Sequence, residues 1–394
     1  MNILTTGMGW IDHTPGGLNR YFADYVKAMT QQGHSIRAYI TAGGEKTSAP
    51  EYVEEVLREQ GRKGTLDRVR AFRQAVGSRD SRWTPQVYNP HFALYASLIG
   101  RGQLPRGIPI VTHFHGPWAR ESMVEDRGAS SGQQIRYRMK KTVEKLAYNR
   151  SDKFVVLSGY FQTVLEQEYG VASDRIHRIP GAVDTDRFRP ADNREQIRRE
   201  LGFADGDRVL FCIRRLVRRM GIDRLIRAMA KVKSDVPGAK LVIAGDGTMR
   251  SELERLTAEL GLGDSVRFVG RVSNEDLVRW YQAADFSIVP TVTLEGFGLV
   301  TVESLACGTP VLGTPNGGTK EILEPFHPEL LFRDDSPEAL AYTISAVLRG
   351  NVVVPDRASC REHVMQRYTW QQVARTVTGV LEQAIGERHK RVVR

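Results

Sequence analysis

Residues 289–310 have the sequence VPTVTLEGFGLVTVESLACGTP, in which a short apolar run leads through a glycine-bearing loop into a helical pattern. Glu295 lies in the loop, and Glu303 lies just over one turn inside the predicted helix. The unsatisfied amides at the start of that helix belong to Phe297, Gly298 and Leu299. Such a helix N-terminus binds anions such as a diphosphate, and two neighbouring carboxylates suit sugar hydroxyls. The alternatives are an ordinary loop acid at Glu295 and an exposed helix residue at Glu303.

The same alternation of strand and helix continues on both sides of this stretch. In the second half of the chain we predict strands at Arg208–Ile213, Lys240–Ala244, Val266–Val269, Phe286–Val289 and Pro310–Gly313. Helical patterns lie between them at Gly221–Lys233, Met249–Leu260, Asn274–Ala283 and Leu299–Cys307. This alternation predicts an α/β domain, in which a parallel sheet carries helices on both faces.

The first half of the chain shows the same pattern with longer connections. The predicted strands are Asn2–Gly7, Ser35–Thr41, Gln86–Tyr88, Ile108–His113 and Lys153–Leu157. A glycine- and proline-rich loop and a helical pattern from Leu18 to Met29 separate the first two. The charged segments 44–84 and 118–150 lack strand patterns, so we expect them to be helices that decorate this domain.

Residues 179–190, IPGAVDTDRFRP, are rich in turn formers and flanked by prolines, as an interdomain connection should be. We therefore expect an N-terminal Rossmann-like domain over residues 1–183 and a C-terminal Rossmann-like domain over 184–370. Residues 371–394 form a predicted helix with a basic tail that can pack back on the first domain. Two facing doubly wound domains form one cleft at the carboxyl ends of their strands, so we expect both to contribute to the site.

Composition and charge narrow the class of protein. The 394 residues are 41% hydrophobic, 26% charged and 8% aromatic, which is typical of a folded chain with more than one domain. The three cysteines lie far apart, so neither a disulfide framework nor a cysteine zinc site is expected. No apolar run approaches the roughly 18 residues of a membrane span. The start, MNILTTGMGW, lacks the features of a signal peptide, so we expect a cytoplasmic protein.

The net charge of +10 is unevenly distributed. Residues 1–189 carry 27 Lys+Arg and 19 Asp+Glu, an excess of eight, whereas residues 190–394 carry 29 and 27, an excess of two. No nucleic-acid-binding signature accompanies the basic half, so no nucleic-acid partner is expected. The segment that could lie on an anionic membrane contains Arg136, Arg138, Lys140, Lys141 and Lys145. A solvated helix face balanced by Glu144 is the alternative.

Several motifs, taken in order, resemble those of retaining GT-B-fold glycosyltransferases, particularly family 4. Glu295 and Glu303 match its E-x7-E motif, and Gly16-Gly17 resembles its N-terminal glycine loop. The segment Thr112–Gly116, THFHG, resembles its histidine motif, and residues 179–190 resemble its P-x-x-V-D-x-x-x-F-x-P linker. Further matches are residues 214–221 (RRLVRRMG, for G-R-L-x-x-x-K-G), 268–273 (FVGRVS) and 316–318 (NGG). The resemblance spans nearly the whole chain and implies two facing Rossmann-like domains with an interdomain cleft.

The resemblance also implies roles for individual residues in donor binding. Glu303 would bind the nucleotide ribose, and Glu295 would lie beside the donor sugar. His115 would stand near that sugar and the reacting centre. The residues that would hold the diphosphate or border the nucleobase are Arg215, Arg271, Val272, Phe297, Gly298 and Leu299. Gly17, with Gly16, would let the backbone approach the phosphates and the acceptor.

One position departs from the family pattern. The family's lysine after R-L-x-x-x is Met220 here, and methionine cannot donate to phosphate. Arg218 and Arg219 are adjacent, and an arginine fork can replace an ammonium. We assign the phosphate contact to Arg219, because it lies next to the lysine position, and expect Met220 to be a packing residue.

Other polar motifs have structural alternatives. His113 and His115 can form a packed pair, and metal binding by them lacks a third ligand. Asp184-Thr-Asp186 and Asp205-Gly-Asp207 resemble metal-binding D-x-D sequences, but we interpret both as turns. Gly245-Asp-Gly247 lacks the third glycine of a dinucleotide fingerprint and is assigned to packing. The residues expected to contact the acceptor are His13, Gly16, Asn19, Trp118 and Arg120.

These expectations define a retaining glycosyltransferase that uses neither metal nor cofactor. It would move a hexose from a nucleoside-diphosphate sugar, with UDP favoured over GDP, to a hydroxyl of a glycan, glycolipid or small metabolite. The alternatives are a nucleotide-sugar epimerase of the same fold and a non-catalytic binder of an anionic surface. A pyridoxal-dependent phosphorylase is excluded, because no lysine of the second half lies in a matching context.

Overall fold

Parallel strands with helical crossovers build both halves of the chain. The structure is a computed structural model that describes residues 1–41, 49–57, 64–78, 82–125 and 131–393. It divides into two units, of which unit 2 is Val183–Thr369. Unit 1 contains Met1–Ala182 together with Trp370–Arg394.

Unit 1 contains seven strands among its described residues. They are β1 (Asn2–Thr6), β2 (Ser35–Thr41), β3 (Val53–Val56), β4 (Val87–Pro90), β5 (Val111–Phe114), β6 (Lys153–Val156) and β7 (Ile176–Arg178). The helices are α1 (Gly17–Gln31), α2 (Thr65–Gly77), α3 (Ala93–Ala96), α4 (Trp118–Glu125), α5 (Ser131–Tyr148) and α6 (Gly159–Tyr169). The strand orders are β3-β2-β1-β4 and β5-β6-β7, with a parallel bridge between Tyr88 and Ile110 joining the two sets.

Unit 2 has one five-stranded parallel sheet in the order β10-β9-β8-β11-β12. Its strands are β8 (Arg208–Ile213), β9 (Ala239–Ala244), β10 (Val266–Gly270), β11 (Phe286–Val289) and β12 (Val311–Gly313). The first helices are α7 (Arg194–Glu200), α8 (Ile222–Asp235), α9 (Arg250–Glu259) and α10 (Asn274–Ala283). The remaining helices are α11 (Leu299–Ala306), α12 (Gly317–Leu323), α13 (Pro337–Leu348) and α14 (Arg357–Arg367).

Strand order places a topological switch point in each unit. In unit 2 the chain builds outward from β8 through β9 to β10, then crosses to β11 on the other side of β8. In unit 1 it builds from β1 through β2 to β3, then crosses to β4 on the other side of β1. Loops separate at such points and leave a crevice beyond the carboxyl strand ends, which is where open α/β sheets bind ligands.

The last helix, α15 (Trp370–Val393), belongs to unit 1. His34 Nε2 donates to Thr378 Oγ1 at 2.9 Å, and that hydroxyl donates to Gln32 Oε1 at 3.1 Å. The buried Lys153 ammonium lies 3.1 Å from Glu387 Oε1. Together these contacts tie α15 to the end of α1 and to β6, although the chain reaches α15 only after unit 2.

The prediction for segment 44–84 is wrong in one respect. We expected helices without sheet there, but β3 runs from Val53 to Val56 and pairs in parallel with β2. It is an edge strand with Glu54 exposed, so its sequence, VEEV, shows no continuous apolar run. Residues 42–48, 58–63 and 79–81 of this region, and 126–130 of segment 118–150, lie outside the described residues.

Turn chemistry explains the two D-x-D sequences, as we expected. Asp184 Oδ1 accepts hydrogen bonds from the amides of Asp186 and Arg187, both at 3.1 Å. Asp207 Oδ2 accepts from the amide of Ala204 at 2.9 Å. Each carboxylate therefore closes a local turn.

The packing role expected for Gly245 and Gly247 is also confirmed. A Cβ at Gly245, where φ is +119°, would lie 1.9 Å from the carbonyl oxygen of Arg214. One at Gly247 would lie 2.4 Å from that of Leu216. Only glycine allows this close approach between the loops after β8 and β9.

Candidate active site

Glu295 is held in a buried ion pair beyond the carboxyl end of the sheet in unit 2. Its Oε2 lies 2.8 Å from Nη2 of Arg214, the residue that follows β8. Thr291, two residues after β11, donates from Oγ1 to the same oxygen at 2.8 Å. Glu295 and Arg214 are 7% and 9% exposed, so Glu295 is not an ordinary solvated loop acid. Among the described residues both contacts fall on Oε2, which leaves Oε1 for a ligand.

Glu303 is also buried, with 3% of its surface exposed on α11. Tyr281 of α10 donates from its hydroxyl to Glu303 Oε2 at 3.0 Å. The interpretation of Glu303 as an exposed helix residue is therefore wrong. Burial, followed by the charge of Glu303, raises the pKa of the nearby Cys307 thiol, which keeps that thiol protonated.

Glycine contacts shape the loop between Glu295 and α11. Gly318 donates from its amide to the carbonyl of Glu295 at 3.0 Å. A Cβ at Gly318 would lie 2.3 Å from the carbonyl oxygen of Phe297, and one at Gly317 would lie 2.1 Å from that of Glu295. At the start of α11, the amide of Thr301 donates to Gly298 O at 2.9 Å. The amides of residues 297–299 lie before Thr301 in the chain, at the N-terminus of the helix.

Arg219 contacts the backbone of the loop that precedes Glu295. Arg219 is 6% exposed, and its Nη1 donates to the carbonyl of Leu294 at 3.1 Å. Leu294 has a φ of +58°, a left-handed conformation that costs a leucine about 1–2 kcal/mol. Met220 is 7% exposed, as expected of a packing residue. Arg219 therefore stabilises a strained backbone immediately before Glu295.

The other two arginines of the RRLVRRMG segment are exposed. Arg215 lies at the surface of unit 2, two residues beyond β8. Arg218 also faces solvent, where its Nη2 lies 3.5 Å from Glu252 Oε1 on α9. Of the arginines proposed for the diphosphate, Arg215 is thus exposed while Arg219 is buried behind the loop.

The residues assigned to the nucleobase border follow β10. Arg271 is exposed, and its Nε lies 3.4 Å from Asp246 Oδ2 in the loop after β9. Val272 is half-buried beside it. Both lie at the carboxyl end of the sheet, the same end as Glu295.

In unit 1, His115 lies one residue beyond β5 and contacts a second histidine. His91, one residue beyond β4, places its Nδ1 3.1 Å from His115 Nε2. His91 Nε2 lies 3.2 Å from Asn89 Oδ1, and Tyr25 donates to the same oxygen at 2.7 Å. Burial lowers the pKa of His115 to about 3, so its imidazole is neutral at pH 7.

His113 belongs to the same buried cluster. Asn89 Nδ2 donates to its Nδ1 at 3.0 Å, and its ring stacks on His91 at a centroid distance of 4.1 Å. Packing of His113 is therefore confirmed, as one of the two alternatives for this pair. In the part of the chain that the structure describes, no His, Cys, Asp and Glu side chains form a group of three or more placed to hold a metal ion.

The loop between β1 and α1 contains the predicted glycines. Gly16 and Gly17 are exposed at the start of α1, and a Cβ at Gly16 would meet no atom within 4 Å. Asn19 is buried, accepting from the Gly9 amide at 3.1 Å and donating to the Thr14 carbonyl at 2.7 Å. Its side chain therefore shapes the loop. His13, also assigned to the acceptor, is half-buried in this loop.

Trp118 and Arg120 lie at the start of α4. The Lys140 ammonium lies 4.7 Å from the centroid of the half-buried Trp118 ring. Arg120 donates from Nη1 to Glu168 Oε1 on α6. Both side chains thus contact helices of unit 1, and part of the arginine is exposed.

Sequence reasoning missed Arg214, Asn89 and His91. Arg214 stands at the glycine position of the G-R-L pattern, so the motif itself predicts no side chain there. Asn89 lies in the four-residue strand β4 and His91 follows it, so neither residue belongs to a periodic signal. The signal that could have found them is positional: β4 and β5 are neighbours, and the carboxyl ends of neighbouring parallel strands converge.

Two Rossmann-like units with polar groups at the carboxyl strand ends are typical of GT-B glycosyltransferases. A family model for "Glycosyltransferase Family 4" matches residues 15–187, and one for "Glycosyl transferases group 1" matches residues 193–367. A D-inositol 3-phosphate glycosyltransferase of Acidothermus cellulolyticus is 31% identical over 326 residues, covering 80% of this chain and 70% of that protein. The chain belongs to glycosyltransferase family 4.

Two further comparisons differ in coverage. A Corynebacterium glutamicum protein, named as a GDP-mannose-dependent monoacylated alpha-(1-6)-phosphatidylinositol monomannoside mannosyltransferase, is 30% identical over 240 residues. That alignment covers 59% of this chain and 62% of the relative, less than two thirds of its length. Sucrose-phosphate synthase from Thermosynechococcus elongatus superposes with a TM-score of 0.79 at 22% identity, covering 98% and 99% of the two chains. This likeness shows the GT-B fold.

Within the described residues, no helix has both the length and the apolar character needed to cross a membrane.

Proposed function

We propose that this protein is a retaining glycosyltransferase that transfers a hexose from a nucleoside-diphosphate sugar to a hydroxyl acceptor. The observation that carries the proposal is the pair of buried carboxylates around the N-terminus of α11. Glu295 is oriented by Arg214, and Glu303 by Tyr281. Together with the amides of residues 297–299, they offer acceptors for hydroxyls and donors for a diphosphate in one loop.

Departure of the diphosphate is the chemical step that needs stabilisation. Negative charge grows on the leaving oxygen, and fixed amide donors stabilise it without reorganising during the reaction. Arg215 adds a positive charge at the same carboxyl end of the sheet. This donor set needs no metal, and departure and attack on one face of the sugar would retain its configuration.

The donor and acceptor follow from the resemblance and the relatives' names. The resemblance favours a uridine nucleotide, whereas the name of the Corynebacterium relative makes GDP-mannose the second donor to test. Both named relatives act on inositol-containing acceptors. A hydroxyl of an inositol phosphate or of its lipid-linked form is therefore the acceptor class that we propose.

Turnover with defined donors tests this function. The protein is incubated with UDP-glucose, UDP-N-acetylglucosamine or GDP-mannose, each with inositol 3-phosphate or phosphatidylinositol in vesicles. We expect nucleoside diphosphate release and a glycosylated acceptor with the α-configuration retained in at least one pair. An inverted product would overturn the retaining mechanism, and interconversion of the donor sugar without transfer would favour the epimerase.

Helix α5 supports a membrane-bound acceptor. Ile135, Met139 and Leu146 are spaced by four and seven residues, so they share one helix face, and they are 60%, 63% and 43% exposed. The exposed basic residues beside this stripe are Arg136, Arg138 and Lys145. We therefore propose that α5 lies on an anionic lipid surface, with its apolar side chains in the interface.

The other charges of α5 face the protein. Lys140 donates to Ser122, and Lys141 lies 3.8 Å from Glu168. Glu144 is fully buried and accepts from the Tyr169 hydroxyl at 2.7 Å, while burial raises its pKa to about 7. In the alternative of a solvated basic face, the balancing role given to Glu144 is therefore wrong, because its carboxyl is buried.

Vesicle flotation tests the surface. We expect the protein to float with phosphatidylglycerol-containing vesicles more than with phosphatidylcholine vesicles, and less so as salt rises. Met139→Glu should reduce flotation, whereas Val353→Glu, at an 84% exposed position in unit 2, should not. Equal flotation of both variants and wild type would exclude α5 as the lipid contact.

A further inference from the structure

A hydrogen-bonded chain leads from the core of unit 1 to His115. Tyr25 donates to Asn89 Oδ1 at 2.7 Å, and the same oxygen lies 3.2 Å from His91 Nε2. His91 Nδ1 lies 3.1 Å from His115 Nε2. Asn89 and His91 are 0% and 1% exposed, so water does not compete for these bonds.

The orientation of Asn89 sets the direction of the chain. Its Nδ2 lies 2.5 Å from the carbonyl oxygen of Val111, which can only accept, so this atom is the amide nitrogen. The other side-chain atom is therefore the oxygen, which accepts from Tyr25 and from His91. Consequently His91 carries its proton on Nε2.

The tautomer of His91 determines that of His115. A neutral imidazole that is protonated on Nε2 has a lone pair on Nδ1, so His91 Nδ1 accepts from His115 Nε2. His115 is then protonated on Nε2, and its Nδ1 carries a lone pair. Among the described residues no hydrogen bond reaches His115 Nδ1, and the side chain is partly exposed.

We propose that Asn89 and His91 are positioning residues that hold His115 in its Nε2-protonated tautomer, with Nδ1 presented as an acceptor to a substrate hydroxyl. The proposal rests on the proposed function only for the placing of His115 at the reacting centre. It has a consequence for specificity: a hydroxyl can donate to Nδ1, whereas a phosphate or carboxylate oxygen would face a lone pair. The group recognised by His115 is therefore a hydrogen-bond donor, such as a sugar or acceptor hydroxyl, and not an anionic oxygen.

Packing and charge state support a single tautomer. The His91 ring stacks on His113 at 4.1 Å with an interplanar angle of 11°, and it contacts the Tyr25 ring at 4.6 Å. These contacts oppose the ring flip that would place the carbons Cδ2 and Cε1 where Nδ1 and Nε2 now lie. Burial lowers the pKa of His91 and His113 well below 6.5 and that of His115 to about 3, so the rings are neutral at pH 7.

Nitrogen NMR tests the tautomer without an activity assay. The full-length protein is labelled with ¹⁵N in its nine histidines, and the His115 and His91 signals are assigned by comparison with His115→Gln and His91→Asn. At pH 7.5 we expect a protonated Nε2 and a bare Nδ1 for both, without averaging. A protonated Nδ1 on His115, or signals averaged between tautomers, would overturn the proposal.

Kinetics of two variants test the positioning role. In His91→Asn, the side-chain oxygen can replace Nδ1 as acceptor for His115, whereas His91→Leu removes the acceptor. We expect at least a tenfold lower kcat for His91→Leu, recovery to within about threefold of wild type for His91→Asn, and UDP or GDP affinity unchanged in both. The probes are release of UDP from UDP-glucose and of GDP from GDP-mannose, and His177→Leu on β7 is the control.

The outcomes distinguish failure of this proposal from failure of the proposed glycosyltransferase function. Wild-type kcat in folded His91→Leu, or equal losses in the Leu and Asn variants, would overturn the positioning role. If wild type neither binds nor turns over any nucleotide sugar, the proposed function fails, while the NMR result still decides the tautomer. If His91→Leu does not fold, the wild-type spectrum remains the deciding measurement.

Discussion

At the residue scale, the pairing of Arg214 with Glu295 distinguishes this chain from the family pattern. The family has glycine at this position and a lysine at position 220; this chain has an arginine at the first and Met220 at the second. Nη2 of Arg214 lies 2.8 Å from Glu295 Oε2 as an ion pair, although neither Nη2 nor Nε makes a well-aligned hydrogen bond among the described residues. Glu295, which we propose to lie beside the donor sugar, is therefore part of a neutral pair with a cation.

Removal of one partner from this pair should destabilise the protein. Arg214→Met would leave the Glu295 carboxylate buried and unpaired, which typically costs about 3–5 kcal/mol in the free energy of unfolding. The double variant Arg214→Met, Glu295→Gln should lose less, because no buried charge remains. Chemical denaturation measures both. Equal losses in the single and double variants would show that the pair is not coupled.

Arg219 contacts the loop before Glu295, and its predicted contact with phosphate stays a prediction. Because its guanidinium donates to the carbonyl of Leu294, Arg219→Met should weaken nucleoside diphosphate binding through the loop, by about 1.5–3 kcal/mol. Met220→Leu should change stability by less than about 1.5 kcal/mol, since it nearly conserves buried volume. Calorimetric titration of Arg215→Met, Arg218→Met and Arg219→Met measures the whole set. If none loses affinity, the donor site lies elsewhere.

Sequence predicts the candidate site unevenly. The E-x7-E spacing identifies Glu295 and Glu303, whose burial the structure then shows. The partners of these carboxylates, Arg214 and Tyr281, come from other strands and helices, so no local pattern links them. The same is true of His91, which meets His115 only because β4 and β5 lie side by side.

At the element scale, α15 packs in unit 1 and stabilises it, although unit 2 lies between α15 and the rest of unit 1 in the sequence. Val377 and Leu381 are fully buried on α15. Leu381→Ala should therefore cost about 2–5 kcal/mol, the range for truncating a buried leucine. Arg375→Ala, at an exposed position of the same helix, should change stability by no more than about 0.5 kcal/mol. Calorimetry should show the loss for Leu381→Ala in one unfolding transition, that of unit 1. Equal effects of Leu381→Ala and Arg375→Ala would contradict the packing of α15.

Strands with continuous apolar runs were predicted best. The bounds of β2, β8 and β11 match the expected ones, and β8 and β11 bury both faces, as strands inside a covered parallel sheet do. By contrast, β3 was missed: it lies at the sheet edge, and its two glutamates interrupt the apolar pattern. Ile176–Arg178, β7, was missed because three residues, only one of them apolar, carry too little signal.

At the scale of the whole molecule, the histidines make unit 1 sensitive to acid. The pKa values of His91, His113 and His115 are lowered by burial, whereas unit 2 has His363, with its pKa lowered to about 4. Below about pH 6.5 these imidazoles are protonated in the unfolded chain but stay neutral in the folded one. The free energy of unfolding therefore falls as the pH falls. The slope approaches 1.4 kcal/mol per pH unit for each histidine.

One buried carboxyl opposes this trend in unit 1. The pKa of Glu144 is raised to about 7, so between about pH 4.5 and 7 the folded form binds more protons than the unfolded one, and acidification stabilises it. Burial also lowers the pKa values of His34 and His177 in unit 1, and these five histidines together outweigh one glutamate. Calorimetry between pH 7.5 and 5 should therefore lower the unit 1 transition, identified by Leu381→Ala, more than that of unit 2. A larger shift in unit 2 would contradict these charge states.

We propose that Glu303 and the N-terminus of α11 bind a nucleoside diphosphate. Calorimetric titration of the full chain with UDP and GDP measures this binding. Glu303→Gln keeps the size of the side chain but removes the charge that accepts from the ribose, so binding should weaken by about 1–3 kcal/mol.

The matched control is Glu324→Gln, which makes the same change at an exposed position just after α12. We predict saturable binding of at least one of the two nucleotides to wild type and to Glu324→Gln, with Glu303→Gln alone weakened. No binding to wild type, or equal affinity in all three proteins, would contradict the assignment of this site.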